Sequence, residues 1–243
     1  MEVLLFSTCL GDLVAPDSVT DAALVLAAAG FTVVPVRGAT CCGQPGFNSG
    51  FESEARRVAR RTLRAIPDGD TPIIVPAGSC AAMMARHWPH LFRGDRGETQ
   101  AKAIAARVVE FSQFVARHAD RLPPLATKRK VGYHDSCHML RELRIKDEPR
   151  ALLNQIEGVE TVELRSADRC CGFGGTFSVR YPDVSLAMVD SKLADVASAD
   201  VDLLVSCDGG CLMQLGGRMS RQGAKASPMH LATLLAEAID GAR

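Results

Sequence analysis

The chain has 243 residues, 47% hydrophobic and 23% charged, an ordinary globular composition that excludes a disordered chain and leaves room for one large or two small domains. Lys plus Arg and Asp plus Glu both number 28, so the formal charge is zero, and no nucleic acid or anionic membrane is expected as main partner, since both attract a basic excess. No apolar run reaches the ~20 residues of a membrane span, and the start MEVLLFSTCLGDL has Glu2 and Asp12 but no basic n-region, so a cytoplasmic chain that is not transmembrane is expected.

In chain order, VLLFSTC (3–9) reads as a strand running into a cysteine, and APDSVTDAALVLAAAG as a helix closed by Gly30. FTVVPVRG (31–38) is a second strand. Ser49 and Glu52 have capping-box spacing ahead of the helix FESEARRVARRTLRAI. TPIIVPAGSC (71–80) is the third strand, and AIAARVVEFSQFVARHA a closing helix. RLPPLATKRK (121–130), rich in Pro and basic residues, reads as a linker. KVGYHDSC (130–137), VETVELRS (159–166) and VDLLVSC (201–207) then repeat the strand pattern, with DVSLAMVDSKLADVAS and MHLATLLAEAI as helices. Strands alternating with helices predict an α/β fold with mostly parallel sheets.

The nine cysteines carry the same repeat. Cys9 precedes the Cys41-Cys42-Gly43 triplet as Cys137 precedes Cys170-Cys171-Gly172, and GSCAAMM around Cys80 parallels GGCLMQL around Cys211. The two triplets lie 129 positions apart. An internal duplication follows, with a first unit at 1–125 and a second at 126–243. Cys207 stands outside the pattern. By the match of GSC to GGC it is placed at the Ala77 position, and it ranks below Cys211 as a ligand.

Each unit delivers its cysteines just past strand ends, where ligands gather in α/β sheets. Adjacent cysteines on a regular strand would point to opposite faces. They share one centre only on a turn, and Gly43 or Gly172 supplies a residue tolerant of positive φ. Cys9, Cys41, Cys42 and Cys80 form the first expected site, and Cys137, Cys170, Cys171 and Cys211 the second. Four thiolates are soft donors that suit an iron–sulfur cluster or zinc. Structural zinc usually takes tight Cys-x2–4-Cys knuckles, and only Cys207 and Cys211 have that spacing, so one or two iron–sulfur clusters, 4Fe–4S in type, are the preferred cofactor.

The pattern of Cys, then Cys-Cys-Gly, then Cys resembles the cysteine-rich (CCG) domain, which occurs duplicated in the cysteine-rich component of heterodisulfide reductase. YHDSCHMLREL (133–143), CCGFGGTFSVRYPDVS (170–185) and CLMQLGGRMSRQG (211–223) are similar to one branch of it, the lactate utilization protein A family. The resemblance covers essentially the whole chain. It implies two pseudo-symmetric CCG units and an iron–sulfur electron-transfer component of a multi-protein system oxidising L-lactate to pyruvate. It implies as partners a ferredoxin-type iron–sulfur protein (lactate utilization protein B) and lactate utilization protein C. A heterodisulfide-reductase-like or other 2-hydroxy-acid oxidoreductase subunit and a non-catalytic metal-binding assembly subunit are the alternatives. The wider pattern ends in Cys-x2-Cys, whereas Met83 and Gln214 stand at the last position here, which leaves four thiols per unit.

His134, Asp135 and His138 flank Cys137. His134 and His138 are read as proton-transfer groups or as donors to a cluster sulfur, against a structural polar network at a strand end. Arg180, Arg218 and Asp208 are candidates for balancing cluster charge or meeting a carboxylate of a small 2-hydroxy acid, against salt-bridge roles. These groups mark the second unit as the expected holder of the higher-potential or substrate-facing centre, with the first as the more passive relay. Arg56, Arg57, Arg60, Arg61 and Arg64 read as a solvated helix face, or as a docking face for an acidic partner. The chain has no G-x-G-x-x-G after a strand and no P-loop. Lactate oxidation removes two electrons and a 4Fe–4S centre moves one, so an oxidoreductase subunit, incomplete alone, is expected.

Overall fold

A computed structural model describes residues 1–242. Eight strands alternate with helices: β1 (Glu2–Leu5), β2 (Thr32–Pro35), β3 (Ile73–Val75), β4 (Val108–Glu110), β5 (Ala126–Tyr133), β6 (Glu157–Val162), β7 (Leu203–Ser206) and β8 (Ser227–His230). They form two four-stranded sheets, β2-β1-β3-β4 and β6-β5-β7-β8, in which every neighbouring pair is parallel. The two sheets share one strand order, so the α/β duplication expected from the cysteines is present in the backbone. No helix of the described residues is long and apolar enough to cross a membrane.

Strand periodicity sorts the core into three parts. Val3 and Leu5 of β1, with Ile74, Val131, Tyr133, Leu203 and Val205, face one shared interior that also takes residues from helices of both units. Leu4, Phe6, Ile73 and Val75 face the opposite side, into a core private to the first unit that contains Cys42 and Cys80. Leu204, Cys171 and Cys211 belong to the private core of the second. The final helix, Leu231–Gly241, packs on the first unit's Pro16–Ala28 helix, so the two halves are joined by buried apolar surface. The Pro16–Ala28 helix starts with Pro in its first turn, and Gly30, expected to close it, follows its end at φ +78°.

Several local expectations are corrected. The Ser49–Glu52 capping box does not form. Ser49 Oγ donates back to Pro45 O at 2.7 Å, and the helix Glu52–Ala65 begins after Phe51 without a side-chain cap. The closing helix of the first unit is split. Glu98–Arg107 ends, the edge strand β4 follows, and Phe111–Ala116 begins anew, because Glu110 turns its carboxylate onto Ser112 N (2.8 Å) and Gln113 N (3.2 Å) as a helix cap. In the second unit Met229 and His230 likewise end β8, and His230 Nδ1 accepts from Ala232 N at 3.1 Å to start the last helix. The expected linker is half strand, since β5 already begins at Ala126 and carries Lys128 and Arg129 on exposed positions.

Candidate metal centres

The first site is built at the ends of β1 and β3. Thr8 Oγ1 accepts from Gly11 N at 3.0 Å and so starts a short helix at Cys9. Cys41 and Cys42 sit on a turn that Gly43 makes at φ +90°. A Cβ at Gly43 would come within 2.7 Å of the Ala55 carbonyl oxygen, so the turn seats directly on the helix Glu52–Ala65 and only glycine fits. The turn's carbonyls are held from behind: Thr62 Oγ1 donates to Cys41 O at 2.9 Å and Trp88 Nε1 to Cys42 O at 2.9 Å. Cys80 comes from the helix Gly78–Ala82 after β3. Cys9 Sγ lies 3.7 Å from Cys41 Sγ, and Cys42 Sγ 3.4 Å from Cys80 Sγ.

The second site repeats this. Gly172 stands at φ +84° with its missing Cβ 2.8 Å from Ser185 O, and Ser185 Oγ donates to Gly172 O at 2.8 Å. Cys171 Sγ lies 3.2 Å from Cys211 Sγ. Gly172 N points at Cys170 Sγ, as Gly43 N does at Cys41 Sγ, each at 3.4 Å. The Cys41 thiol is held well below its ordinary pKa by donation from Cys42 and Cys9, and Cys170 by donation from Cys137 and Cys171. One thiolate per site is therefore ready to ligate, and Cys137 is pushed up in return by its contact with Cys170. The structure thus gathers all eight expected cysteines into two sets of four.

Cys207 is not gathered. It falls on the same strand face as Val205 and enters the shared core, where burial raises its pKa beside Glu110, Tyr133 and Ser112. Its repeat position is also corrected. The helices Gly78–Ala82 and Gly209–Gln222 begin after Ala77 and Asp208, so Ala77 matches Asp208 and Cys207 matches Pro76. Asp208 is a cap: Oδ1 accepts from Gly210 N (3.1 Å) and Cys211 N (3.2 Å), and Oδ2 from Ser79 N of the first unit at 2.7 Å. Gly78 N adds a bond to Cys207 O at 3.1 Å.

The other polar candidates separate. His134 is fully buried, and burial drives its imidazole down to about 3, leaving it neutral. One ring nitrogen of it, Cys171 Sγ and Cys211 Sγ all lie within 4.8 Å of one another. His138 Nε2 is 2.9 Å from Gln44 Nε2 of the first unit and its Nδ1 is 3.6 Å from Cys137 Sγ, so it bridges the units as acceptor from the Gln44 amide. Asp135 pairs with Arg150 at 2.8 Å. Arg218 is tied to Asp190 at 2.6 Å, and Arg180 is exposed with its guanidinium 5.8 Å over the Tyr181 ring. Neither arginine is turned onto the cysteines. Lys192 has a role that its place in a helical pattern hides. Buried, it donates to Ser166 O and to Ala167 O at 2.5 and 2.9 Å, bracing the loop before Cys170. On the arginine-rich helix, Arg60 pairs with Asp95 while Arg57, Arg61 and Arg64 are exposed.

The first site opens into a cavity of about 230 Å3 walled by Cys9, Cys41, Cys42 and Cys80, and on the far side by Phe173, Thr176 and Val179 of the second unit. No Lys, Arg or His lines it.

The cysteine-rich domain family (CCG) matches residues 3–85 and 131–216, the two stretches that carry the cysteine sets. Lactate utilization protein A of Geobacillus kaustophilus (strain HTA426) is 41% identical over 237 residues, covering 97% of this chain and 98% of that protein. The chain belongs to the lactate utilization protein A family. The protein of that name from Geobacillus thermodenitrificans (strain NG80-2) is 42% identical over 242 residues, 97% of this chain and 98% of its own. A hypothetical protein from Helicobacter pylori shares the fold at TM-score 0.61 and 12% identity. That likeness covers 98% of this chain, which spans about half (49%) of the Helicobacter chain.

Proposed function

We propose that the chain is an iron–sulfur electron-transfer component of a multi-protein system that oxidises L-lactate to pyruvate, with one centre in each unit, 1–125 and 126–243. The observation that carries the reading is the convergence of two matched four-cysteine sets at strand ends. The donor set fits a polynuclear iron centre. Four thiols of one tetrahedral zinc site, at Zn–S of ~2.3 Å, would all lie within about 4 Å of each other. Among the described residues the three donors that all lie within 4.8 Å of one another are His134, Cys171 and Cys211, and the first site's thiols run instead as one string of contacts, Cys9 to Cys41 to Cys42 to Cys80. Bound there, an iron–sulfur cluster would supply one-electron transfer.

The chain's own residues hold and shield such a centre. Gly43 and Gly172 aim the cysteine pairs, Trp88 and Thr62 fix the first turn, and Lys192 braces the second. A lactate carboxylate finds no cationic side chain in the cavity at the first site, so we assign lactate binding to a partner and electron relay to this chain. The relatives' name supports the lactate system, and the resemblance of the cysteine motifs supports a ferredoxin-type partner, lactate utilization protein B, with protein C as the third member. Anaerobic purification with iron and sulfide analysis tests the cofactor. Lactate-dependent reduction of the chain in the three-protein mixture tests the role. Zinc in place of iron, or turnover that survives omission of the chain, overturns the reading.

A further inference from the structure

We infer that His134 is a ligand of the second centre, so that the two pseudo-equivalent centres differ in donor set: thiolates alone in the first, thiolates with one imidazole in the second. The inference rests on the iron–sulfur reading above. Three observations carry it.

The first is position. One His134 ring nitrogen lies within 4.8 Å of both Cys171 Sγ and Cys211 Sγ, and those sulfurs lie within the same distance of each other. Donors at these separations could share one metal ion. The second is an unmet bonding requirement. His134 is 0% exposed, and neither Nδ1 nor Nε2 has a hydrogen-bond partner. A buried imidazole normally satisfies at least one nitrogen, and a polar group left bare in the interior is destabilising. A ligated metal supplies the missing partner to one nitrogen. The third is the internal control that the duplication provides. Phe6 N donates to Ile74 O at 3.0 Å and His134 N to Val205 O at 2.8 Å, so the two residues hold the same place on their sheets. Phe6 faces the core that contains Cys42 and Cys80, as His134 faces Cys171 and Cys211. The fold therefore accepts an apolar ring at this point, and a histidine here is not required by packing. Cluster potential follows the ligand set and the charge and hydrogen bonding around it, so two centres with different donor sets are expected to differ in potential.

The test is pulsed EPR on the full chain, reconstituted anaerobically with iron and sulfide, reduced, and labelled with 15N-histidine. The expected result is a strong nitrogen coupling in the wild type that disappears in His134→Phe. That variant keeps iron near the wild-type content, because all eight thiols remain, and shifts the potential of one centre only. His138, the other histidine touching a cysteine sulfur among the described residues, is the control: His138→Gln keeps the strong coupling. If the His134→Phe chain does not fold, a strong coupling in the His138→Gln protein still supports the assignment. Its absence there overturns it. A coupling of only the weak, hydrogen-bonded kind in the wild type, or a strong one that persists in His134→Phe, also overturns it. Wild-type protein that takes up no iron overturns the iron–sulfur reading and this inference together. Iron bound without strong histidine coupling overturns this inference alone.

Discussion

Removing the Asp208 carboxylate is expected to weaken both cysteine loops at once. The side chain is 3% exposed and accepts three backbone N–H bonds. Two come from the start of its own helix, Gly210 N and Cys211 N, and one, the shortest at 2.7 Å, comes from Ser79 N beside Cys80. Replacing an N-cap Asp by Ala typically costs ~0.5–2 kcal/mol. The bond to Ser79 is charge-assisted and part-buried, and leaving its N–H bare adds ~1–3 kcal/mol. Asp208→Ala should therefore lose roughly 2–5 kcal/mol. With a urea slope of ~2–3 kcal/mol per M for a chain of this size, the unfolding midpoint falls by about 0.7–2.5 M. The assay is urea unfolding of metal-stripped protein under reducing conditions. Ser79→Ala is the control, because it removes a hydroxyl and leaves the N–H in place, and its midpoint should match the wild type. Asp208→Asn, which keeps acceptor geometry without charge, should fall between. An Asp208→Ala midpoint within the error of the wild type would refute the view that one carboxylate ties the two sites together.

Three further outcomes follow from the geometry. Cys211→Ser should reduce bound iron by about one centre while Cys207→Ala leaves it near normal, since only Cys211 touches Cys171; iron analysis of both variants checks this. Gly172→Ala forces an L side chain at φ +84° against Ser185 O and should cost more than the ~1 kcal/mol of an ordinary glycine replacement, with iron lost from the second centre, whereas alanine at Gly217, which meets nothing within 4 Å, should keep both. Burial raises the Glu110 carboxyl to about 7, so between the ordinary carboxylate pKa near 4.5 and about 7 the native state holds a proton that the unfolded chain has released. This group's contribution to stability is then full below pH ~4.5 and falls as pH rises through that window, by an order of ~3 kcal/mol. Subtracting the stability–pH curve of Glu110→Gln from that of the wild type isolates this slope from the opposite one of the buried His230, whose pKa burial lowers to about 4, and a flat difference would remove Glu110 as its source.

The duplication was legible because thiol chemistry constrains spacing more tightly than a fold does. A Cys-Cys pair needs the glycine turn, and the turn needs a helix start to rest on, so Gly43 and Gly172 recur with Ala55 and Ser185 beneath them. The edge strands were hidden for a physical reason. β4 contributes three residues and β8 four, too short to show a period of two inside longer helical patterns. What betrays them is the cap that follows, Glu110 in one unit and His230 in the other. Cys207 was misplaced by one position because Asp208 aligns with Ala77, and one position on a strand reverses the face. The polar residues of the second unit were readable as near the cysteines in sequence. Their side-chain directions were not, since Arg218 finds Asp190 and Asp208 finds Ser79 only after the chain has folded.

Those directions bear on which centre a substrate could face. A substrate-facing second centre needs its charged groups turned onto the cysteines, yet Arg218 is spent on Asp190, Arg180 lies outward over Tyr181, and His138 accepts from Gln44. The cavity of about 230 Å3 is walled instead by the first site's four cysteines, and the second unit lends it Phe173, Thr176 and Val179. Val179 is 80% exposed, so the cavity rim is itself an apolar surface shared by both units. On the iron–sulfur reading, a partner docking at that rim reaches the first centre directly. The second is reached through the contacts that bind the units, Ser79 to Asp208 and Gln44 to His138. In the first of these, Ser79 adjoins Cys80; in the second, Gln44 lies two positions past Cys42 and His138 adjoins Cys137. Electron exchange with a protein partner suits that order better than binding of a charged small acid, because the wall offers apolar contact and sulfur but no cation to hold a carboxylate.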